Sequence, residues 1–195
     1  MQKLEKNGPE QIIYKGKIFE VIKQSMKAGE KEIIFEIARR SPGVRLIIVK
    51  ENMMLITKEF RSELDDFDYR LPGGKVFDTL DEYEQHREKD ILAFALEAGK
   101  KECREETGLI AKNIKYFATA HAGATVIWDL FYCIVDDFEE SEAGQELEHG
   151  ECINIEWKTF EEIKELIKGG NMKEDRSIGV LFKFFLKYPE KYVRK

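Results

Sequence analysis

Apolar and polar positions alternate in short bursts through the first third of the chain. Ile12-Ile13-Tyr14, Ile18–Ile22 and Ile33–Ile37 are β-branched and aromatic runs separated by Lys15-Gly16 and Ala28-Gly29, which predicts three strands joined by turns. Ser41-Pro42-Gly43 marks a further turn, and Val44–Val49 and Met53–Thr57 predict a hairpin around Lys50-Glu51-Asn52. Residues 78–90 read DTLDEYEQHREKD. So dense a run of charge offers no face to bury, and an exposed loop or frayed helical turn is expected, with a lid over a site as the alternative. The period then changes. Leu92, Ala95, Gly99 and Cys103 recur at helical spacing, which predicts a helix over 91–106 with a small-residue face, stopped by Gly108. Strands are expected again at Ile114–Ala120, Thr125–Val135 and Ile153–Trp157. Thr159-Phe160-Glu161-Glu162 has the form of a capping box for a helix to Lys168, closed by Gly169-Gly170. Ile178, Leu181, Phe182 and Phe185 predict a last amphipathic helix. The order of elements predicts an α+β fold without internal repeats. Residues 1–40 are expected as an antiparallel β extension, and residues 41–195 as the main domain, with an inserted polar loop at about 78–90.

Composition narrows the class. The 195 residues suit one well-buried domain, and 43% hydrophobic with 36% charged residues is the balance of a soluble globular protein. A net charge of −6 with no basic block argues against a nucleic-acid partner. An acidic chain that binds phosphates must gather cations in one place, as metal or as a few Arg and Lys side chains. Cys103, Cys133 and Cys152 are odd in number and form no CxxC pair, so neither a zinc ribbon nor a disulfide framework is expected. The N-terminus MQKLEKNGPEQ lacks an apolar signal core, and no apolar run approaches ~20 residues. A soluble, cytoplasmic protein with no membrane partner is expected.

The chemistry is concentrated in Leu71-Pro72-Gly73-Gly74-Lys75 and in the helix that carries Glu102, Glu105 and Glu106. On a helix these three glutamates share a face, where like charges repel. A hard dication reverses the sign of that interaction, because Mg²⁺ takes carboxylate oxygens and substrate phosphates. A solvated acidic helix end is the other reading. The glycine pair favours the metal site, since glycines let a backbone approach a ligand closely.

These two stretches resemble the Nudix box, G-x5-E-x7-R-E-U-x-E-E-x-G-U with U aliphatic, whose second half here runs from Lys101 to Leu109. Lys101 stands for the usual Arg, and Cys103 takes an aliphatic position. Gly74 precedes Lys101 by 27 positions against 14 in the box, an insertion of 13 residues, and the first box Glu falls on Ala93. Asp81, Glu82 and Glu84 are its candidate replacements. Phe35–Val49, Lys58-Glu59-Phe60-Arg61, Leu71–Lys75 and residues 151–170 are similar to the ADP-ribose pyrophosphatase branch, although Ala124 stands where ADP-ribose-specific members carry Pro.

The resemblance implies a Nudix fold, a mixed sheet between helices, and Mg²⁺-dependent hydrolysis, with Mn²⁺ as the alternative metal. The implied substrate is a nucleoside diphosphate linked to a sugar, cleaved to a nucleoside monophosphate and a sugar phosphate. Metal would be held by Glu102, Glu105, Glu106 and the Gly73 carbonyl. Glu105 and Glu151 are the catalytic candidates, with Glu148 in reserve for Glu151 and Glu102 as the alternative for orienting water. Arg61 is a candidate phosphate clamp or a partner of Glu63 or Asp65. Arg40 resembles an Arg that reaches the partner subunit's ligand, and Gly74 and Gly123 complete the substrate-binding candidates. Trp128, Phe67 and Tyr69 are candidates to stack on a base or to fill the core, and His121 to act in catalysis or structurally. A homodimer through the β extension is implied. A nucleotide sensor without turnover and a nucleoside triphosphatase are the competing functions.

Overall fold

The computed structural model describes residues 3–188. Fifteen elements follow one another: β1 (Glu5–Lys6), β2 (Gln11–Lys15), β3 (Phe19–Ala28), β4 (Lys31–Arg40), β5 (Gly43–Lys50), β6 (Met53–Arg61), β7 (Asp66–Arg70), α1 (Leu80–His86), α2 (Ile91–Thr107), β8 (Leu109–Ala120), β9 (Val126–Ile127), β10 (Leu130–Glu140), β11 (Ile153–Thr159), α3 (Phe160–Lys168) and α4 (Asp175–Lys187). One sheet has the order β1-β3-β4-β9 with β2 also on β3. The other has the order β11-β6-β5-β10-β8 with β7 also on β6.

β5 runs as near-continuous apolar sequence because both of its faces are covered. Ile47 and Val49 enter a core with Tyr132, Ile134 and the α3 and α4 residues Phe160, Ile163, Leu181 and Phe184. Val44, Leu46 and Ile48 enter the opposite core with Cys103 of α2, Cys133 and Val135. Continuous rather than alternating hydrophobicity is what a two-sided strand requires. β5 and β6 pair only beside their turn, at Val49↔Met54 and Lys50↔Met53, and then diverge. The Leu71–Lys75 loop takes the positions left free along β5, with Leu46 N–H on Pro72 O at 2.8 Å and Val44 N–H on Gly74 O at 3.0 Å. That divergence opens the cleft described below.

The hairpin, the α2 helix and the α3 capping box stand where the pattern placed them. Thr159 and Glu162 make both reciprocal cap bonds. Elsewhere the structure corrects the pattern. Residues 78–90 contain α1, capped by Thr79, rather than a loop. Its charged residues face out, while Leu80 is fully buried and Phe77 packs on Tyr83, His86 and Phe94. Leu80 and Tyr83, with Phe77 and Phe94 from outside the run, suffice for a face that the count of charges conceals. β8 starts at Leu109, directly after the helix. The expected strand over Thr125–Val135 is split by Trp128-Asp129, since β9 pairs with β4 and β10 with β5. The buried face of α4 is Ser177, Val180, Leu181 and Phe184, and Phe182 is 64% exposed. β1 and β7 have no clear sequence signal. No helix among the described residues is long and apolar enough to cross a membrane.

Candidate active site

The cleft between the two sheets has a volume of about 370 Å³ and reaches from the box helix to Trp128. Gly73 sits at φ +137° at its edge, and a Cβ there would collide with the backbone at Val44. Only glycine accepts both the conformation and the contact. A Cβ on Gly74 would overlap the Glu102 carboxylate. The bare loop therefore lies directly against the box glutamates.

Glu102, Glu105 and Glu106 all line the cleft from α2, as helical spacing requires. Burial pushes the Glu102 carboxyl up to about 7, with Glu105 and Glu151 adding to the rise and Lys101 opposing it. Burial and Glu102 push Glu106 up to about 8, against the Gly73 N–H that donates to its Oε2 at 2.6 Å. Glu105 pairs with Lys101 at 3.3 Å. The Glu102 carboxylate has no hydrogen bond or ion pair among the described residues. As the side chains stand, no three acidic, His or Cys groups among the described residues meet on one point. Glu105 is turned to Lys101 and Glu106 to the loop. An all-oxygen donor set with two half-buried, un-neutralised carboxylates nonetheless fits a hard dication of the Mg²⁺ or Mn²⁺ type.

The Gly73 carbonyl accepts from Arg45 Nη1 at 2.9 Å, so one of its two lone pairs is engaged within the protein. Arg45 in turn makes a fork to Glu174, at 3.0 and 3.1 Å, and Arg70 reaches the same carboxylate at 3.0 Å. Burial opposes ionisation of Glu174, yet Arg45, Arg70 and the Ser177 hydroxyl hold its carboxyl down at about 2. Sequence reasoning missed this trio. Its signal was Arg45 inside an apolar strand, because a buried guanidinium requires a carboxylate somewhere.

Glu151 and Glu148 line the cleft, with the Glu148 N–H donating to Glu151 Oε2 at 3.0 Å. Arg61 also lines it, but its guanidinium pairs with Glu63 at 2.8 Å and with Glu59 at 3.3 Å. Arg40 lines the cleft of its own chain, with its guanidinium 4.1 Å from the centre of the Trp128 ring. Gly123 does not reach the cleft: it lies at φ +128° in the β8–β9 connection, with open space around it. Phe67 packs edge-on against Phe60 under Lys58 and lies outside the cleft, as does Tyr69. The Trp128 ring carries the guanidinium groups of Arg40 and Arg176. His121 is exposed and pairs with Asp129 at 2.7 Å.

Asp81, Glu82 and Glu84, the candidates for the place of the first box glutamate, do not line the cleft, whereas Asp78 of the same segment does. Asp81 and Glu84 pair with Lys15 at 2.8 and 2.9 Å, and Glu82 accepts from the Asp78 N–H. Ala93 itself is exposed.

No protein-family model and no curated protein matches the chain. Among solved structures, the chain is similar to one described as the crystal structure of an ADP compounds hydrolase. The TM-score is 0.69 at 12% sequence identity, over 93% of this chain and 95% of that one. At that identity the likeness is one of fold, an α+β arrangement of β-sheets with flanking helices.

Proposed function

We propose that the protein is a Mg²⁺-dependent pyrophosphohydrolase, acting on a nucleoside diphosphate linked to a sugar, of ADP-ribose or NDP-sugar type. The observation that carries this reading is the juxtaposition of Glu102, Glu105 and Glu106 with the bare Gly73-Gly74 loop in an arginine-lined cleft. When bound, a divalent cation supplies neutralisation of the diphosphate charge and eases attack by water on phosphorus. Glu102, Glu105 and Glu106 would hold it, joined by the Gly73 carbonyl. Glu151, on the loop before β11, lines the same cleft and would take a proton from water, and Glu148 holds it by its backbone N–H. Arg45 fixes the Gly73 carbonyl and carries Glu174 as its counter-ion, so it organises the loop rather than neutralising substrate. Likeness to an ADP compounds hydrolase supports the substrate class. The protein is further read as a cytoplasmic homodimer joined by its β extension, with no nucleic-acid partner.

The test is a product assay with Mg²⁺ on ADP-ribose, NDP-sugars, NADH and nucleoside triphosphates, beside Glu105→Gln. Turnover to a nucleoside monophosphate, reduced at least about a hundredfold in the variant, is expected. Pyrophosphate released from a triphosphate would overturn the substrate class. Nucleotide binding without turnover would favour a sensor, for which the exposed Ala93 in place of the first box glutamate is the specific observation.

A further inference from the structure

The cations that line the cleft differ in how far their charge is already met. Arg45 and Arg70 share Glu174, Arg61 has Glu59 and Glu63, Lys101 has Glu105, and Lys75 has Asp78 at 3.9 Å. Arg40 alone among the described lining cations has no carboxylate partner, and its Nε is buried without a hydrogen-bond acceptor. Its neighbour Arg176, at the start of α4, also lacks a carboxylate partner. Both guanidiniums lie against one ring, at 4.1 and 4.0 Å from the centre of Trp128. Arg176 also donates to the Trp128 carbonyl oxygen at 2.8 Å, which fixes the residue between β9 and β10.

Bringing two half-buried like charges to one ring is unfavourable. Burial, and for Arg40 the proximity of Arg176, lower the pKa of both. The electron-rich indole face offsets part of that cost, and an arriving anion would offset more. The indole is also more than a platform. Its Nε1–H has no hydrogen-bond partner among the described residues. A Cβ on Gly43 would stand 3.9 Å from that Nε1 and 3.0 Å from the Gly74 carbonyl. The free indole donor thus sits across one bare glycine from the loop that borders Glu102.

We propose that Trp128 is a specificity-determining residue of the cleft and Arg176 its positioning residue. Trp128 holds the un-neutralised Arg40 guanidinium in the cleft and adds its own Nε1–H, so that the two bind non-bridging oxygens of one substrate phosphate. The proposal rests on the cleft being a nucleoside-diphosphate site. It places the discriminating anion contact on the β extension of the same chain rather than on Arg61.

The test is calorimetric titration of the full chain with ADP and, separately, with adenosine, for the parent, Trp128→Phe, Arg176→Gln and Arg176→Lys. Trp128→Phe keeps a ring for Arg40 and removes the N–H. It is expected to weaken ADP about ten- to a hundredfold while leaving adenosine unchanged, the size of one hydrogen bond to a charged group. Arg176→Gln should weaken ADP likewise and raise KM more than it lowers kcat, and Arg176→Lys should restore most of the loss. Unchanged ADP affinity in either Trp128→Phe or Arg176→Gln overturns the proposal, as does an equal loss for adenosine. A parent that discriminates ADP in this way yet turns over no member of the substrate panel sinks the hydrolase reading alone. Turnover with an indifferent Trp128→Phe sinks the subsite alone.

Discussion

Gly74 and Glu174 show how single residues set the site from opposite directions. At Gly74 the missing side chain matters, because a methyl group would occupy the place of the Glu102 carboxylate. The obstacle is the end of a flexible side chain, so Gly74→Ala should fold with an unfolding midpoint near that of the parent while losing most Mg²⁺-dependent turnover. A variant that keeps full turnover would show that Glu102 need not lie where the structure has it. Gly73→Ala would meet backbone instead, and belongs with folding defects rather than site defects. Glu174 matters by its charge. Its folded-state pKa of about 2 lies below the ordinary value of 4.5. The stability it contributes is therefore present above pH 4.5 and lost as pH falls toward 2. Glu174→Gln leaves Arg45 buried without a counter-ion and should cost about 3–5 kcal/mol at neutral pH. Urea unfolding from pH 7 to pH 3 should show that penalty shrinking with acid. A constant penalty would mean that Glu174 acts by shape alone.

The insertion is a small helix with two attachments to the β extension, and magnitude decides which of them holds it. Lys15 pairs with Asp81 and Glu84 on a half-exposed surface, where solvent and salt screen the charges. Leu80 is fully buried, and its N–H donates to the Lys17 carbonyl at 2.9 Å. Leu80→Ala should cost about 2–5 kcal/mol by urea unfolding, and Lys15→Ala should have a small effect that fades with added salt. The reverse order would make the ion pairs the true anchor. Because Ile18, just past Lys17, lines the cleft, loosening α1 should also raise KM. This element was the least legible in the sequence, since thirteen mostly charged residues conceal two apolar ones, Leu80 and Tyr83, that need a tertiary partner to become a face. The α3 capping box and the box glutamates were legible because their meaning is local: spacing along one helix fixes which side chains are neighbours. Arg45, Glu174, Trp128 and Arg176 were not, because the pairs lie 129 and 48 positions apart and only the folded sheets bring them together.

On the scale of the whole molecule, the first sheet presents Ile12, Ile13 and Tyr14 of β2 and Ile33 and Ile34 of β4 to solvent, each at least 44% exposed. Successive side chains of a strand point to opposite faces, so these residues are divided between the two faces of the sheet, and apolar exposure of that kind marks a contact surface. Two such sheets packed together would supply the apolar centre that a standard interface of about 1,200–2,000 Å² requires. A dimer by sizing with light scattering is expected, and Ile13→Lys with Ile34→Lys should give a monomer. The cleft makes a second demand on the same experiment. Arg40 and Ile18 line the cleft of their own chain, so separating the subunits removes no residue that the structure places there. The monomeric variant should therefore keep turnover and its dependence on Trp128. A monomer with turnover abolished and an unchanged unfolding midpoint would instead mean that the partner completes the site, and Arg40 would then act across the interface as the resemblance implies.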